Sequence, residues 1–161
     1  MLIEMTIKGL MLDPITNTPI VILKDKEGDR VLPIWVGLFE ANAIALQIEN
    51  VATPRPMTHD LLRNIITDLE GRVDRIVVSD LKENTFYAVV HLTVRGERVA
   101  VDARPSDAIA LALRTRSPIL VEESVIDNAK TVDFTAEPGD NARLQKWLES
   151  LDPEELGKYK M

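Results

Sequence analysis

Alternating apolar and polar positions predict two groups of short strands in this chain. The first group consists of apolar runs separated by turn-forming residues, at residues 3–7, 20–23 and 31–36. The second group has the same alternation and short polar connectors, at residues 73–79, 86–94 and 99–103. Connectors of this length favour hairpins, so each group is expected to form an antiparallel meander.

Apolar positions spaced three to four residues apart predict the helices. The predicted segments are a helix at 39–49, a helix at 58–70 with Thr58 as N-cap and Gly71 as C-terminal cap, a helix opened by residues 104–107, a short strand at 119–121, a helical turn at 125–129, and a final amphipathic helix carrying Leu144, Trp147, Leu148 and Leu151. The helix after residue 104 is apolar on every face at 108–113, so it is expected to be buried all round.

These elements predict an α+β fold. Strands outnumber helices and hairpins outnumber crossovers, so we expect a single domain with a mixed, mainly antiparallel sheet packed with three to four helices. The domain is placed at residues 1–130 and a C-terminal helical extension at 131–161.

Composition narrows the functional classes. The chain has 161 residues, of which 45% are hydrophobic, enough for one well-buried domain. It has no cysteine, which excludes disulfides and thiolate chemistry and suits a reducing compartment. No apolar run approaches the roughly 18 residues of a membrane span, so we expect a cytoplasmic protein with no membrane partner. The net charge of −7 argues against broad, charge-driven binding of nucleic acid, so local arginines would have to bind any polyanion.

Two of the predicted helices open with similar polar sequences. Residues 55–60 read Arg-Pro-Met-Thr-His-Asp, and residues 104–107 read Arg-Pro-Ser-Asp. In both, an arginine and a proline precede a hydroxyl residue and an aspartate in the first helical turn. The backbone N–H groups at such a helix start, together with the arginine, can bind a phosphate group.

Several motifs occur together in the order known from one protein family. They read Leu-Pro-Ile-Trp-Val-Gly at 32–37 with Glu-Ala at 40–41, Pro-Arg-Pro-Met-Thr-His-Asp at 54–60, Phe-Tyr-Ala at 86–88, and Val-Asp-Ala-Arg-Pro-Ser-Asp-Ala-Ile-Ala-Leu-Ala at 101–112. Over about residues 1–129 the chain therefore resembles the bifunctional nuclease domain family. The resemblance implies an α+β domain with DNase and RNase activity. The acidic net charge predicts that DNA and RNA bind weakly and in a salt-sensitive manner.

Phosphodiester hydrolysis commonly uses one or two divalent ions held by carboxylates. The candidate metal ligands are Glu40, Asp60, Asp102 and Asp107, three of which fall in first helical turns. If the sheet brings these acids together, they form a site for Mg²⁺ or Mn²⁺. The alternative is that each acid only caps its own helix or complements its dipole.

The candidate catalytic residues are His59, Asp60 and Asp107, with His59 as general acid or base. His59 can equally make only a local hydrogen bond. A two-histidine ribonuclease mechanism would require His59 to meet His91, which is expected to be structural.

Arg55 and Arg104 are the candidate substrate-binding residues, since each precedes a proline at a helix start. The alternative is a structural role, in which an arginine forms a bidentate pair with an acid, such as Arg104 with Asp60.

Two functional hypotheses follow. In the first, the chain is a divalent-metal-dependent nuclease of low sequence specificity. In the second, it is a non-enzymatic oligomeric scaffold or ligand-sensing module whose Arg and Asp motifs are structural. An acid-lined cleft beside exposed arginine favours the first, and buried, fully paired Arg and Asp side chains favour the second. In either case we expect a homodimer.

Overall fold

The computed structural model describes residues 1–129 and 132–133 of the chain. The strands in this part are β1 (Leu2–Leu12), β2 (Pro19–Asp25), β3 (Arg30–Trp35), β4 (Gly71–Lys82), β5 (Thr85–Val94), β6 (Glu97–Ala103), β7 (Ile119–Glu122) and β8 (Val132–Asp133). The helices are α1 (Leu38–Ile48), α2 (Thr58–Asp68), α3 (Pro105–Thr115) and α4 (Glu123–Asn128). The predicted C-terminal amphipathic helix lies outside the described residues.

All the described strands belong to one sheet with the order β6-β5-β4-β7-β1-β2-β3-β8. The two predicted meanders are confirmed, since β1, β2 and β3 pair antiparallel in sequence, as do β4, β5 and β6. Strand β7 joins them: it pairs parallel with β4 and antiparallel with β1. The predicted α+β class with a mixed, mainly antiparallel sheet is therefore confirmed.

Helix α3 occupies the centre of the helical layer because of this topology. The chain leaves the sheet at its edge strand β6 and re-enters at β7, so α3 has to cross β5 and β4. Pro105 is the first residue of α3, where its fixed φ suits a helix start. Both α1 and α2 pack against α3, which explains why its apolar residues are buried on nearly every side.

The predicted caps of α2 are wrong by one residue at the N-terminal end and by two at the C-terminal end. The N-cap is Met57 rather than Thr58, and the Met57 N–H donates to Asp60 Oδ2 at 2.9 Å. The C-cap is Leu69, and Glu70 takes the left-handed conformation with φ of 61°, so Gly71 is free to begin β4. An aspartate side chain thus does the capping that was expected of a threonine hydroxyl.

Helix α2 buries little of its apolar surface. Leu61, Ile65 and Leu69 are 53%, 46% and 55% exposed, whereas Ile66 packs against the core. The spacing of apolar residues still predicted a helix here correctly, because the helical period of the sequence does not depend on what the apolar face contacts.

None of the helices in the described part of the chain is long and apolar enough to cross a membrane.

Arg116 follows α3 in a left-handed conformation, with φ of 55° and ψ of 42°. Glycine adopts this conformation without a Cβ clash. We therefore expect Arg116→Gly to raise the free energy of unfolding by about 0.5–1 kcal/mol in urea denaturation. Arg116→Ala removes the same charge but keeps the Cβ, and should give no comparable gain. Equal gains in both variants would attribute the effect to charge rather than to the backbone.

Candidate functional site

The starts of α2 and α3 contact each other through a histidine and an aspartate. His59 is the second residue of α2 and Asp107 lies in the first turn of α3. His59 Nε2 lies 2.8 Å from Asp107 Oδ1, and the His59 side chain is only 9% exposed. A carboxylate on one ring nitrogen fixes the orientation and tautomer of an imidazole. Two helix starts that are 48 residues apart in sequence therefore form one site.

Arg104 links Asp107 to a third helix. Its Nε and Nη2 donate to Asp107 Oδ2 at 3.0 and 2.9 Å, and Nη2 also donates to Glu40 Oε1 at 2.8 Å. The hydrogen bond to Glu40, and then that to Asp107, raise the pKa of Arg104 above its usual value. The guanidinium is therefore held in place and fully charged. The pair of Arg104 with Asp60, which was one example of a structural role for this arginine, does not form, because Arg104 binds the acids of α1 and α3 instead.

These side chains line an open groove of about 480 Å³, which we call the Arg104 groove. Its polar wall is formed by Glu40, His59, Arg104 and Asp107, and its apolar wall includes Phe39, Met57 and Leu62. About half of the Arg104 side chain is exposed. A histidine, an arginine and two carboxylates are thus accessible from one cleft.

Asp60 lies behind this groove and is paired with a buried arginine. Its Oδ1 accepts from Arg114 Nε at 2.8 Å, and the Arg114 side chain is 2% exposed. Arg114 also donates to the carbonyl oxygens of Ala110 and Ala43 at 2.9 and 3.0 Å. The guanidinium thereby joins α1, α2 and α3. The Met57 N–H, together with Arg114 and against the opposing effect of burial, holds the pKa of Asp60 below its usual value.

Arg55 lines a second, neighbouring pocket, which we call the Arg55 pocket. This pocket of about 340 Å³ is bounded by Thr53, Arg55, Asp60, Arg63 and Arg114. Arg55 is exposed. The two predicted substrate-binding arginines therefore open onto different pockets, both of which Leu46 borders.

The four candidate metal ligands do not meet. Glu40 and Asp107 converge on one Arg104 nitrogen, Asp60 binds Arg114, and Asp102 is exposed on β6 opposite Val89. Among the residues that the structure describes, no three histidine or acidic side chains lie close enough together to hold a metal ion. Because arginines bind the oxygens that an ion would need, this arrangement does not fit a divalent ion held by side chains alone.

The two histidines do not meet either. His91 alternates along β5 with Val90 and Leu92, which pack in the core, so its side chain lies on the opposite face of the sheet from α3. It borders a pocket with Arg75 and Asp74. Burial, and then the charge of Arg75, lower the pKa of His91.

Sequence reasoning missed the structural role of Arg114. The usable signal was its place in the last turn of a helix that is apolar on all sides, because a charged residue there needs a buried partner. Asp13 was missed in the same way. It is buried, and its Oδ2 accepts from Trp35 Nε1 at 3.2 Å.

We expect Arg114→Met to lower the free energy of unfolding by about 3 kcal/mol, because it removes three hydrogen bonds and leaves Asp60 without its cation. Arg104→Met is the matched control and should cost less than about 1 kcal/mol, since the Arg104 side chain is half exposed. Urea denaturation of both variants measures the difference. Equal costs would contradict a special structural role for Arg114.

Asp60 should also contribute to acid sensitivity. Its lowered pKa means that the folded state binds the proton less readily than the unfolded state, so this stabilisation is complete above the ordinary aspartate pKa of about 4. It is lost as the pH falls through the lower pKa of the folded state. We expect the stability gap between wild type and Asp60→Asn to be largest near neutral pH and to close towards about pH 2. A gap that stays constant down to that pH would refute this role.

Comparison with known proteins agrees with the motifs in the sequence. The sequence profile of the Bifunctional nuclease domain matches residues 21–133, which contain both pockets described above. The chain is 37% identical over 162 residues to an uncharacterized protein of Mycobacterium tuberculosis, in an alignment that covers 95% of this chain and 97% of the other.

Two plant proteins are more distant. Bifunctional nuclease 1 of Oryza sativa subsp. japonica is 26% identical over 112 residues, which is 67% of this chain and 34% of the rice protein. Bifunctional nuclease 2 of Arabidopsis thaliana is 26% identical over 119 residues, or 70% of this chain and 36% of the other. The match thus spans about a third of each plant protein. Because the profile match covers residues 21–133, more than half of the chain, the chain belongs to the bifunctional nuclease domain family.

Proposed function

We propose that this chain is a nuclease of low sequence specificity that hydrolyses phosphodiester bonds of DNA and RNA. Membership of the bifunctional nuclease domain family supports the proposal, as do the plant relatives that are named nucleases. The single observation that carries it is the Arg104 groove, where a histidine held by a carboxylate lies beside an exposed arginine.

His59 is the proton-transfer group in this proposal. If Nε2 carries the hydrogen of the bond to Asp107, then Nδ1 is the nitrogen that accepts a proton from an attacking water. Asp107 does not need to touch the substrate. It is a positioning residue that orients the imidazole and stabilises its protonated form.

Arg104 is the phosphate-binding group. Its guanidinium is charged, half exposed and fixed by Glu40 and Asp107, at the start of α3. A preorganised cation at this point stabilises the charge that develops on the phosphoryl oxygens. The two carboxylates offset part of its charge and the protein has a net charge of −7, so we expect weak, salt-sensitive binding of the polynucleotide.

Arg55 gives a second contact to the same polymer. Because the Arg55 pocket adjoins the Arg104 groove, a polynucleotide bound in the groove extends past an exposed arginine. This contact is to the sugar-phosphate backbone of the polynucleotide, so it adds affinity without sequence preference.

Asp60 is reassigned from a catalytic to a positioning role, since its oxygens bind Arg114 and the Met57 N–H. The requirement for Mg²⁺ or Mn²⁺ stays a prediction, and no step above depends on it.

The test is cleavage of end-labelled single-stranded DNA and RNA by the purified 161-residue chain, with Mg²⁺, with Mn²⁺ and with EDTA. We expect His59→Gln to lower the rate by at least about 100-fold, and Asp107→Asn by about 10–100-fold, because they remove proton transfer and its orientation. Arg104→Met should lower the rate by about 100-fold through loss of charge stabilisation. Circular dichroism and urea denaturation establish that each variant is folded.

His91→Gln is the matched control, because it changes the other histidine on the opposite face of the sheet. It should cut at the wild-type rate. If all three groove variants cut as fast as wild type, the activity lies elsewhere or belongs to a contaminant, and the proposed site is wrong. Loss of activity in EDTA would establish the metal requirement, and retained activity would remove it.

A second candidate function is a non-enzymatic scaffold or ligand-sensing module. The observation in its favour is the buried pair of Asp60 with Arg114, which needs no substrate to explain it. Folded protein that cuts neither substrate under any of the three conditions would support this function over the nuclease.

A further inference from the structure

Phe39 places an exposed aromatic ring in the Arg104 groove. It is the second residue of α1, borders the groove and is 85% exposed. No other large apolar side chain of α1, α2 or α3 is as exposed. A single exposed apolar residue is common on protein surfaces, so the ring by itself indicates no ligand. The neighbours of this ring decide what it can bind.

The apolar wall of the groove comes from two helices. On α1, Phe39, Ala43 and Leu46 follow one another at spacings of four and three residues, so they share one face of the helix. At α2, the N-cap Met57 and Leu62 border the same space and are 44% and 40% exposed. A flat apolar group that enters the groove therefore covers apolar side chains of both helices.

The polar wall holds a phosphate-binding group beside the ring. Glu40, the residue after Phe39, accepts a hydrogen bond from Arg104 Nη2 at 2.8 Å. A nucleotide has the matching pair of features, since its base is a flat ring system and its phosphate is charged. The groove volume of about 480 Å³ lies within the range of roughly 300–1,000 Å³ that is typical of small-molecule sites.

The charges of the groove do not hold a polyanion strongly by themselves. Glu40 and Asp107 both contact the guanidinium of Arg104, so two carboxylates face one cation while His59 is neutral. A polynucleotide bound here therefore needs a second source of affinity. In proteins that bind single strands without sequence preference, stacking of bases on aromatic rings is such a source.

We propose that the Phe39 ring stacks on a base of the bound strand while Arg104 binds a neighbouring phosphate, and that the substrate of the groove is therefore single-stranded. In a duplex both faces of an internal base are covered by its neighbours, so the ring reaches a base only after unstacking it. A phenyl ring has no hydrogen-bonding group, so it accepts any base and reads no 2′-hydroxyl. The proposal rests on the proposed function for the polynucleotide itself and adds the restriction to single strands.

Fluorescence anisotropy of short labelled oligonucleotides at low ionic strength measures the binding step. The protein is the full chain carrying His59→Gln, so that the probes are not cut during the measurement. We expect Phe39→Ala to raise the dissociation constant for single-stranded DNA of mixed sequence by about 5–100-fold. Phe39→Leu keeps an apolar side chain without a ring and should lose nearly as much, whereas Phe39→Trp should retain the affinity.

Leu38→Ala is the matched control. Leu38 is the adjacent residue and is 69% exposed, but it does not border the groove. Its replacement should leave binding unchanged. Because Leu38 and Phe39 are both largely exposed, all these variants should fold normally, and circular dichroism checks that they do.

Two further probes separate stacking from charge. An oligonucleotide of abasic residues keeps its phosphates but has no bases, so Phe39→Ala should change its dissociation constant by less than about twofold. Arg104→Met should weaken the binding of both the abasic and the ordinary strand. Charge alone favours a duplex, which carries more phosphate per unit length. We nevertheless expect the duplex of the same sequence to bind at least about tenfold more weakly than the single strand.

The outcomes distinguish a failure of this proposal from a failure of the nuclease. If wild type cuts single strands and Phe39→Ala binds and cuts them equally well, the nuclease stands and the stacking role is wrong, which would assign the exposed ring to a protein contact. If the folded chain cuts nothing but binds single strands through Phe39, the nuclease is wrong and the stacking site stands. Tighter binding of the duplex, equal losses with the abasic and ordinary probes, or no binding of any single strand would each overturn the proposal.

Discussion

The candidate site depends on one buried cation, the guanidinium of Arg114. It donates to a carbonyl of α1, a carboxylate of α2 and a carbonyl of its own helix α3. Each of these three helices supplies one part of the Arg104 groove, so the groove exists only while the helices keep their relative positions. A buried ion pair gives little net stability, because desolvation offsets the attraction, but it strongly penalises arrangements that leave the charge unpaired. Arg114 therefore specifies geometry more than it adds stability.

The two similar sequences at the starts of α2 and α3, residues 55–60 and 104–107, differ in the surroundings of their arginine–aspartate pairs. In both, an acid of the first turn accepts hydrogen bonds from an arginine, but the burial of that arginine differs. The guanidinium on Asp60 is almost fully buried, whereas that on Asp107 is half exposed. The buried guanidinium is held by three protein oxygens, while the exposed one presents about half of its side chain to the groove. Burial of the paired arginine, rather than the motif itself, therefore distinguishes Asp60 from Asp107.

The sequence predicted most of the fold and about half of the site, and the reasons are physical. Strand and helix identities follow from apolar periodicity, which is local, so both meanders and the buried α3 were predicted correctly. The contact between His59 and Asp107 spans 48 positions and depends on how two helices cross, which no local pattern encodes. For the same reason the sequence could not tell that Arg104 pairs with Glu40 and Asp107 rather than with Asp60. The exposure of the apolar residues of α2 could not be predicted either, because the helical period of a sequence does not show what the apolar face of the helix will contact.

The position of β7 in the sheet has a consequence for synthesis of the chain. β1 lies at residues 2–12, but its second neighbour, β7, comes at residues 119–122. During translation the first meander can form early, yet one side of β1 stays open until most of the domain has left the ribosome. Open strand edges in partly made chains are where aggregation starts. Chaperone binding to nascent chains of this domain should therefore persist until α3 and β7 have emerged.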